Sequence, residues 1–121
     1  MELKNYEKDE RPWGSYERFT LNEPTTVKLI TVKPGEEFSL QTHAHRDEFW
    51  HVISGSGAVT VGDGAREARA GDEFFIPRGT LHRAQGGDEG LLFLEIAFGA
   101  FDENDIDRVE DKYGREEHPG A

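Results

Sequence analysis

Between Val27 and Phe98 the chain alternates short runs rich in β-branched and aromatic residues with clusters of glycine, proline and aspartate. The runs are Val27 to Val32, Phe38 to His45, Glu48 to Ile53, Ala58 to Val61, Glu73 to Ile76 and Leu91 to Phe98. They are separated by Pro34-Gly35, Ser54-Gly55-Ser56-Gly57, Gly62-Asp63-Gly64, Ala70-Gly71-Asp72, Pro77-Arg78-Gly79 and Gly86-Gly87-Asp88, all of which favour turns. Short strands at this spacing, with no long segment of helical periodicity, predict an all-β antiparallel sandwich or barrel. Residues 1–12 are charged and aperiodic and end at Arg11-Pro12-Trp13-Gly14. They read as an extended N-terminal arm that closes in a turn around an aromatic anchor. Asp102 to Lys112 clusters its acids early, as helix N-termini prefer, and reads as a short helical segment before a polar tail, Gly114 to Ala121, that is expected to fray.

Length and composition narrow this picture. The 121 residues fit one domain, since a second core needs roughly another 50. The expectation is therefore a single domain over residues 1–121, its core at about 12–115 and its polar termini at 1–11 and 116–121. A hydrophobic content of 35%, with eight Phe and two Trp, suffices for one core and excludes disorder of the whole chain. The 25 acidic and 14 basic side chains give a formal net charge of −11, which repels phosphate backbones and anionic headgroups. No nucleic acid and no membrane surface is expected as a partner. The best apolar run, Leu91 to Phe98, carries Glu95 and is far shorter than the roughly 20 residues of a membrane span. Met1-Glu2-Leu3-Lys4 has no apolar signal core, so a cytoplasmic location is expected. Without cysteine there is no disulfide and no thiolate, and any metal must have nitrogen and oxygen ligands.

Candidate ligands of that kind crowd into Gln41-Thr42-His43-Ala44-His45-Arg46-Asp47-Glu48. Side chains alternate along a strand, so Gln41, His43 and His45 share one face. Glu48 lies an odd number of residues from His43, and a bulge or turn, expected at Arg46-Asp47, must intervene before both point inward. His82, beyond the Pro77-Arg78-Gly79 turn, is a fourth candidate from a separate strand. Neutral imidazole with carboxylate and amide oxygen suits a divalent ion such as Zn, Mn, Fe, Co or Ni.

Two motifs carry a resemblance. Gly35, five residues, Gln41-x-His43, four residues, Glu48, six residues, Gly55 resembles the first cupin motif, with Gln where most cupins have their first His. Gly71, five residues, Pro77-x-Gly79-x-x-His82 matches the second, with Gly86 where many cupins have Asn. Within cupins the chain is similar to the isomerase domain of type II mannose-6-phosphate isomerases. The similarity runs through Arg11-Pro12-Trp13-Gly14-Ser15-Tyr16-Glu17, Val32-Lys33-Pro34-Gly35, Ser39-Leu40-Gln41-x-His43-x-His45-Arg46-x-Glu48 and Asp105-Ile106-x-Arg108-x-x-Asp111-x-Tyr113-Gly114-Arg115. Larger members carry this domain after a sugar-nucleotide transferase domain that this chain is too short to contain. The resemblance implies a cupin double-stranded β-helix, a jelly-roll barrel. It implies one divalent ion, zinc foremost, on Gln41, His43, Glu48 and His82, leaving His45 behind the ligands or on the pocket rim. Phe49 and Ala44 stand where family members commonly have histidine. A homodimer through an edge strand is implied as well, and covering that edge would be physically useful.

The same resemblance implies reversible isomerisation of mannose 6-phosphate and fructose 6-phosphate through a cis-enediol, with the sugar phosphate as small-molecule partner. Arg46 offers a planar fork of donors for the phosphate, or else pairs with Asp47 at the surface. Arg108 and Arg115 either reach the barrel mouth or pair with the acids of the tail. Lys28 shares a strand face with Ile30 and Val32 and either enters the pocket or closes an edge. Glu95 interrupts an apolar strand on the face of Phe93 and Ala97, which places it at a polar barrel mouth, as the base or as support for a ligand histidine. Trp13, Trp50, Phe74, Phe75 and Phe98 are core candidates before sugar-stacking ones, and neither His51 nor His118 reads as a ligand. Two rivals accompany this reading. One is a non-catalytic sugar-binding or regulatory cupin, and the other is a cupin dioxygenase, in which His45 would have to supply a third histidine.

Overall fold

Residues 3–114 are described by a computed structural model, and among them there are nine strands and no helix. The strands are β1 (Glu7–Arg11), β2 (Gly14–Arg18), β3 (Thr25–Val32), β4 (Leu40–Thr42), β5 (Arg46–Val61), β6 (Gly64–Arg69), β7 (Glu73–Ile76), β8 (His82–Gly99) and β9 (Asp107–Glu110). Two long strands organise the molecule. β5 and β8 pair antiparallel from Arg46↔Gly99 to Val52↔Phe93, shift register twice around Gly55, and pair again from Gly57↔Gly86 to Val61↔His82. β3 adds to the second half of β8, β6 and β7 add to the two halves of β5, and β4 joins β8 to β9.

Alternation along these strands sends one side-chain row inward. Val32, Trp50, Val52, Val59, Ala68, Phe74, Ile76, Ala84, Leu91 and Phe93 form the buried core, drawn from β3, β5, β6, β7 and β8. Each large apolar side chain removed from water contributes about 1.5–3 kcal/mol. Glu48 and Glu95 lie in the same inward rows, one step beyond Trp50 and Phe93, at the end where apolar residues give way to polar ones. Trp50 and Phe74 are core, as expected, whereas Trp13 is 74% exposed at the hairpin tip and anchors nothing there.

The turn expected at Ser54-Gly55-Ser56-Gly57 is a corner inside β5, so Glu48 to Ile53 and Ala58 to Val61 form one 16-residue strand. The backbone turns there because Gly55 has φ +86° and its Cα packs against the Gly90 carbonyl, only 2.1 Å from where a Cβ would sit. Gly86-Gly87-Asp88, also expected as a turn, is strand within β8. At Gly86 a Cβ would meet the Lys33 carbonyl at 2.3 Å, which explains glycine in place of a larger residue.

Both terminal expectations need correction. The charged N-terminus is not an extended arm. β1 and β2 form a two-stranded hairpin around Pro12-Trp13, with Glu7↔Arg18 to Arg11↔Gly14 in register. Cross-strand charge pairing supports it, since Arg18 meets Glu7 at 3.2 Å. Phe19, just beyond the hairpin, packs on the outer face of β5 against Phe49 (5.6 Å) and His51 (5.4 Å), and Tyr6 packs on Phe19. The helix expected at Asp102 to Lys112 is absent as well. Its carboxylates cap turns instead, Asp102 Oδ1 accepting from the Asn104 N–H at 2.9 Å, and Asp107–Glu110 becomes β9 against β4. Arg115 and His118 lie outside the described residues.

Candidate metal centre

The polar end of the barrel is where β3, β4, β5, β8 and the β8–β9 connection converge. Side chains from all five, and Arg108 from β9, surround a cavity of about 200 Å³, among them Lys28, Gln41, His43, Arg46, Glu48, Glu95 and Glu103. A larger cleft of about 670 Å³ along Thr31 to Pro34, Glu36, Glu37 and Tyr113 offers neither imidazole nor guanidinium, so size does not single out the chemistry.

His43, Glu48 and His82 are 3%, 1% and 1% exposed, and their ligating atoms gather within 4.8 Å of one another. Each imidazole is turned by a main-chain carbonyl. His43 Nδ1 lies 2.7 Å from the Asp105 oxygen and His82 Nδ1 lies 2.9 Å from the Thr80 oxygen. A carbonyl only accepts, so each Nδ1 carries the proton and each Nε2 points inward with its lone pair. Glu48 answers with one oxygen to each ring, Oε2 3.5 Å from His43 Nε2 and Oε1 3.6 Å from His82 Nε2. Ligand atoms bound at about 2.0–2.2 Å in a tetrahedron lie roughly 3.4 Å apart, so these separations suit a common cation. His82 Nε2 is fully buried and has no hydrogen-bond partner among the described residues. A buried nitrogen lone pair left in that condition is what a metal ligand looks like before it is used. The chemistry of the donor set therefore fits a divalent ion.

Gln41 completes the set by position. Its amide nitrogen faces His43 Nε2 at 3.3 Å while Oε1 accepts from Ser39 Oγ at 2.6 Å. A half-turn of the amide exchanges the two atoms, presenting oxygen to the centre and leaving nitrogen to donate to Ser39. The break that brings His43 and Glu48 to the same interior is a bend at Ala44-His45, just before Arg46 and two residues earlier than the sequence suggested. His45 is exposed on that bend and takes no place at the rim of the cavity; its main-chain N–H donates to Asp105 Oδ2 at 2.9 Å. His51 points to the outer face, 2.8 Å from Glu73.

Burial sets the titration behaviour. It holds the His43 imidazole below its ordinary value, with Glu48 pulling the other way, and lowers His82 to about 4. Both rings are thus neutral at neutral pH, His82 Nε2 having no donor among the described residues and His43 Nε2 facing the Arg46 guanidinium at 3.2 Å. Burial, then the neighbouring Glu48 charge, raises Glu95 to about 7, against the pull of Lys28 and Arg46. Glu95 is the cross-strand neighbour of Lys28. Arg46 is 6% exposed, and its guanidinium donates to Glu48 Oε2 at 2.9 Å, the Asp102 carbonyl at 3.1 Å and His43 Nε2 at 3.2 Å. Its fork is committed to the ligands and to the chain, not spread towards solvent. Lys28 Nζ lies at the mouth, 2.6 Å from Glu103, and the Phe101 ring lies against both Lys28 and Arg46. Sequence reasoning missed Phe101, Glu103 and the Asp105 carbonyl, because a helix was expected there and a main-chain acceptor leaves no signal in residue type.

A rolled antiparallel barrel with histidines and a glutamate converging at one end defines a cupin. Solved structures agree on the fold. An uncharacterized conserved protein with a double-stranded β-helix domain from Klebsiella pneumoniae matches at a TM-score of 0.63 and 24% identity, over 78% of this chain and 90% of that one. KdgF from Halomonas sp. matches at 0.63 and 19%, over 70% and 77%. The chain belongs to the family described as mannose-6-phosphate isomerase C-terminal, whose model matches residues 1–111. Among curated relatives, the alginate biosynthesis protein AlgA of Pseudomonas aeruginosa is 41% identical over 120 residues, 98% of this chain and 25% of that protein. The xanthan biosynthesis protein XanB of Xanthomonas campestris is 43% identical over 107 residues, 87% of this chain and 23% of that protein. Mannose-1-phosphate guanylyltransferase ManC of Salmonella typhimurium is 39% identical over 107 residues, 87% and 22%. The chain spans about a quarter of the length of the curated relatives it matches. No helix of the described residues is long and apolar enough to cross a membrane.

Proposed function

We propose that this chain is a metal-dependent aldose–ketose isomerase that interconverts mannose 6-phosphate and fructose 6-phosphate. The observation that carries the reading is the buried His43–Glu48–His82 donor set, with both imidazoles neutral, beside a polar cavity lined by Glu95, a carboxyl raised to about 7, and by a lysine at the mouth. Membership of the mannose-6-phosphate isomerase C-terminal family supports the choice of substrate. Zinc is the proposed ion, because near-tetrahedral spacing of nitrogen and oxygen donors suits it, with Mn, Co, Ni and Fe as substitutes. When bound, the ion polarises the sugar carbonyl and its neighbouring hydroxyl.

The protein's own groups do the rest. Glu95 exchanges protons readily near neutral pH, as a base that must both take and return one requires. It removes the proton from the carbon beside the carbonyl and returns it to the carbonyl carbon, through a cis-enediol, while the hydroxyl proton passes from the neighbouring oxygen to the former carbonyl oxygen. Lys28, drawn off Glu103, meets the phosphate at the mouth, with Arg108 also lining the cavity. Arg46 was the expected phosphate clamp; its engagement with Glu48, His43 and Asp102 supports a role in holding the ligands. The exposed position of His45 weighs against an oxygen-activating three-histidine site. A sugar-binding cupin without turnover is the remaining rival. Self-association through an exposed strand and residence in the cytoplasm complete the proposal, to be checked by sedimentation and by cell fractionation.

The test is turnover of mannose 6-phosphate by zinc-replete protein, read as fructose 6-phosphate, with unphosphorylated mannose alongside. Turnover of the phosphorylated sugar that vanishes in His82→Ala is expected. Saturable sugar binding without turnover under any divalent ion would favour the binding module.

A further inference from the structure

The β8–β9 connection makes more contacts with the metal-ligand segment than a loop needs for its own closure. Asp105 sits at the centre of them. Its two carboxylate oxygens accept the N–H groups of Ala44 (2.8 Å) and His45 (2.9 Å), and its carbonyl lies 2.7 Å from His43 Nδ1. One residue therefore grips the bend that follows His43 and the ring of His43 itself. Asp105 is in turn held by its own turn, with its N–H donating to the Asp102 carbonyl at 3.0 Å.

We propose that Asp105 is the positioning residue of the metal centre. Its carboxylate staples the β8–β9 connection to the Ala44-His45 bend, so that its carbonyl fixes the His43 ring with Nε2 facing Glu48 and His82. His82 shows why such a staple is needed. The carbonyl that turns His82 belongs to Thr80, two residues away on the same strand approach, and needs no help to stay in place. The carbonyl that turns His43 comes from 62 residues away. The β4–β9 pairing at Thr42↔Asp107 brings the two segments together, and the Asp105 carboxylate adds the bonds that hold its carbonyl at the ring. The consequence for metal binding rests on the proposed function, but the ring placement itself does not.

The experiment uses the full chain labelled with nitrogen-15 histidine, as wild type, Asp105→Ala and Asp105→Asn. In metal-free wild type, the Nδ1–H resonances of both His43 and His82 are expected to be protected from exchange. In Asp105→Ala the His43 resonance is lost and that of His82 stays, which serves as the internal control. Cobalt affinity, followed by its visible absorption, falls about 10–100-fold. Asp105→Asn keeps one acceptor oxygen and lies between the two. A His43 resonance and a cobalt affinity in Asp105→Ala within about twofold of wild type would overturn the inference, as would a wild-type His43 protonated on Nε2. If the His82 resonance is lost too, Asp105→Asn decides, an unchanged His43 signal there counting against the inference. Wild type that binds no divalent ion while Asp105→Ala still frees His43 would overturn the metal reading and leave the positioning role standing.

Discussion

Glu95 is the residue whose environment departs furthest from that of the free amino acid in a direction chemistry can use. In the folded, metal-free protein burial lifts it to about 7, against an ordinary carboxyl value of 4.5. Between those values the folded state keeps a proton that the unfolded chain has lost. Stability from this group is therefore full below about pH 4.5 and is lost as pH rises through 7. The loss is on the order of 3 kcal/mol at most, and a urea titration across that window shows it as the difference between wild type and Glu95→Gln. A variant that tracks wild type at every pH would contradict the burial argument. Under the proposed isomerase mechanism turnover should have the opposite slope, rising as Glu95 ionises. A cation on Glu48 would favour the Glu95 carboxylate, so the acid limb of the zinc-loaded protein is expected at or below pH 7, and Glu95→Gln should remove it along with at least about 100-fold of kcat.

At the level of elements, the chain shows where pattern suffices and where pairing decides. β7 was legible to the residue, because Phe74 and Ile76 alternate inward between two turn clusters. β6, the sequence Gly-Ala-Arg-Glu-Ala-Arg, has no apolar row to read, and it is strand because Ser56 to Val61 offers it a ladder. The first half of β8 hides behind Gly86-Gly87-Asp88 for the same reason, its backbone held by β5 while its glycines admit the Lys33 carbonyl. The acids of Asp102 to Asp105 resemble a helix start, yet Asp105 is committed to Ala44 and His45, and that tertiary demand overrides the local preference. The candidate ligands Gln41, His43, Glu48 and His82 came from motif spacing and the family resemblance, since strand parity alone would also have admitted His45. The carbonyls that aim them were not, since any residue type carries one. Gly55 tests the corner directly. With φ +86° and the Gly90 carbonyl in the way, Gly55→Ala should cost about 2 kcal/mol or more in thermal or urea unfolding, and a neutral result would contradict the close approach.

For the whole molecule, the barrel and the N-terminal hairpin are two unequal parts. Among the described residues β1 and β2 pair with each other and with no other strand, and Phe19 joins their far end to Phe49 and His51. Phe19→Ala should release the hairpin, removing amide exchange protection from Glu7–Arg18 while β5 and β8 keep theirs. Loss of protection throughout would show the two parts to be one cooperative unit. A bound ion adds to the barrel alone. At a zinc concentration of about 100 times Kd the folded state gains roughly 2.7 kcal/mol, so a chelator should lower Tm and His82→Ala should abolish that difference.

The central claim is that one ion sits among His43, Glu48, His82 and Gln41. A second cluster of metal-binding side chains, Glu17, His51 and Glu73, lies on the outer face and provides a built-in rival. The most direct measurement is an anomalous difference map from zinc-soaked crystals, recorded at the zinc edge. The account predicts one strong peak within bonding distance of His43 Nε2, His82 Nε2 and Glu48, with the Gln41 amide turned to bring Oε1 towards it. A peak only at Glu17, His51 and Glu73, or none at either place in protein shown to contain zinc, would contradict it.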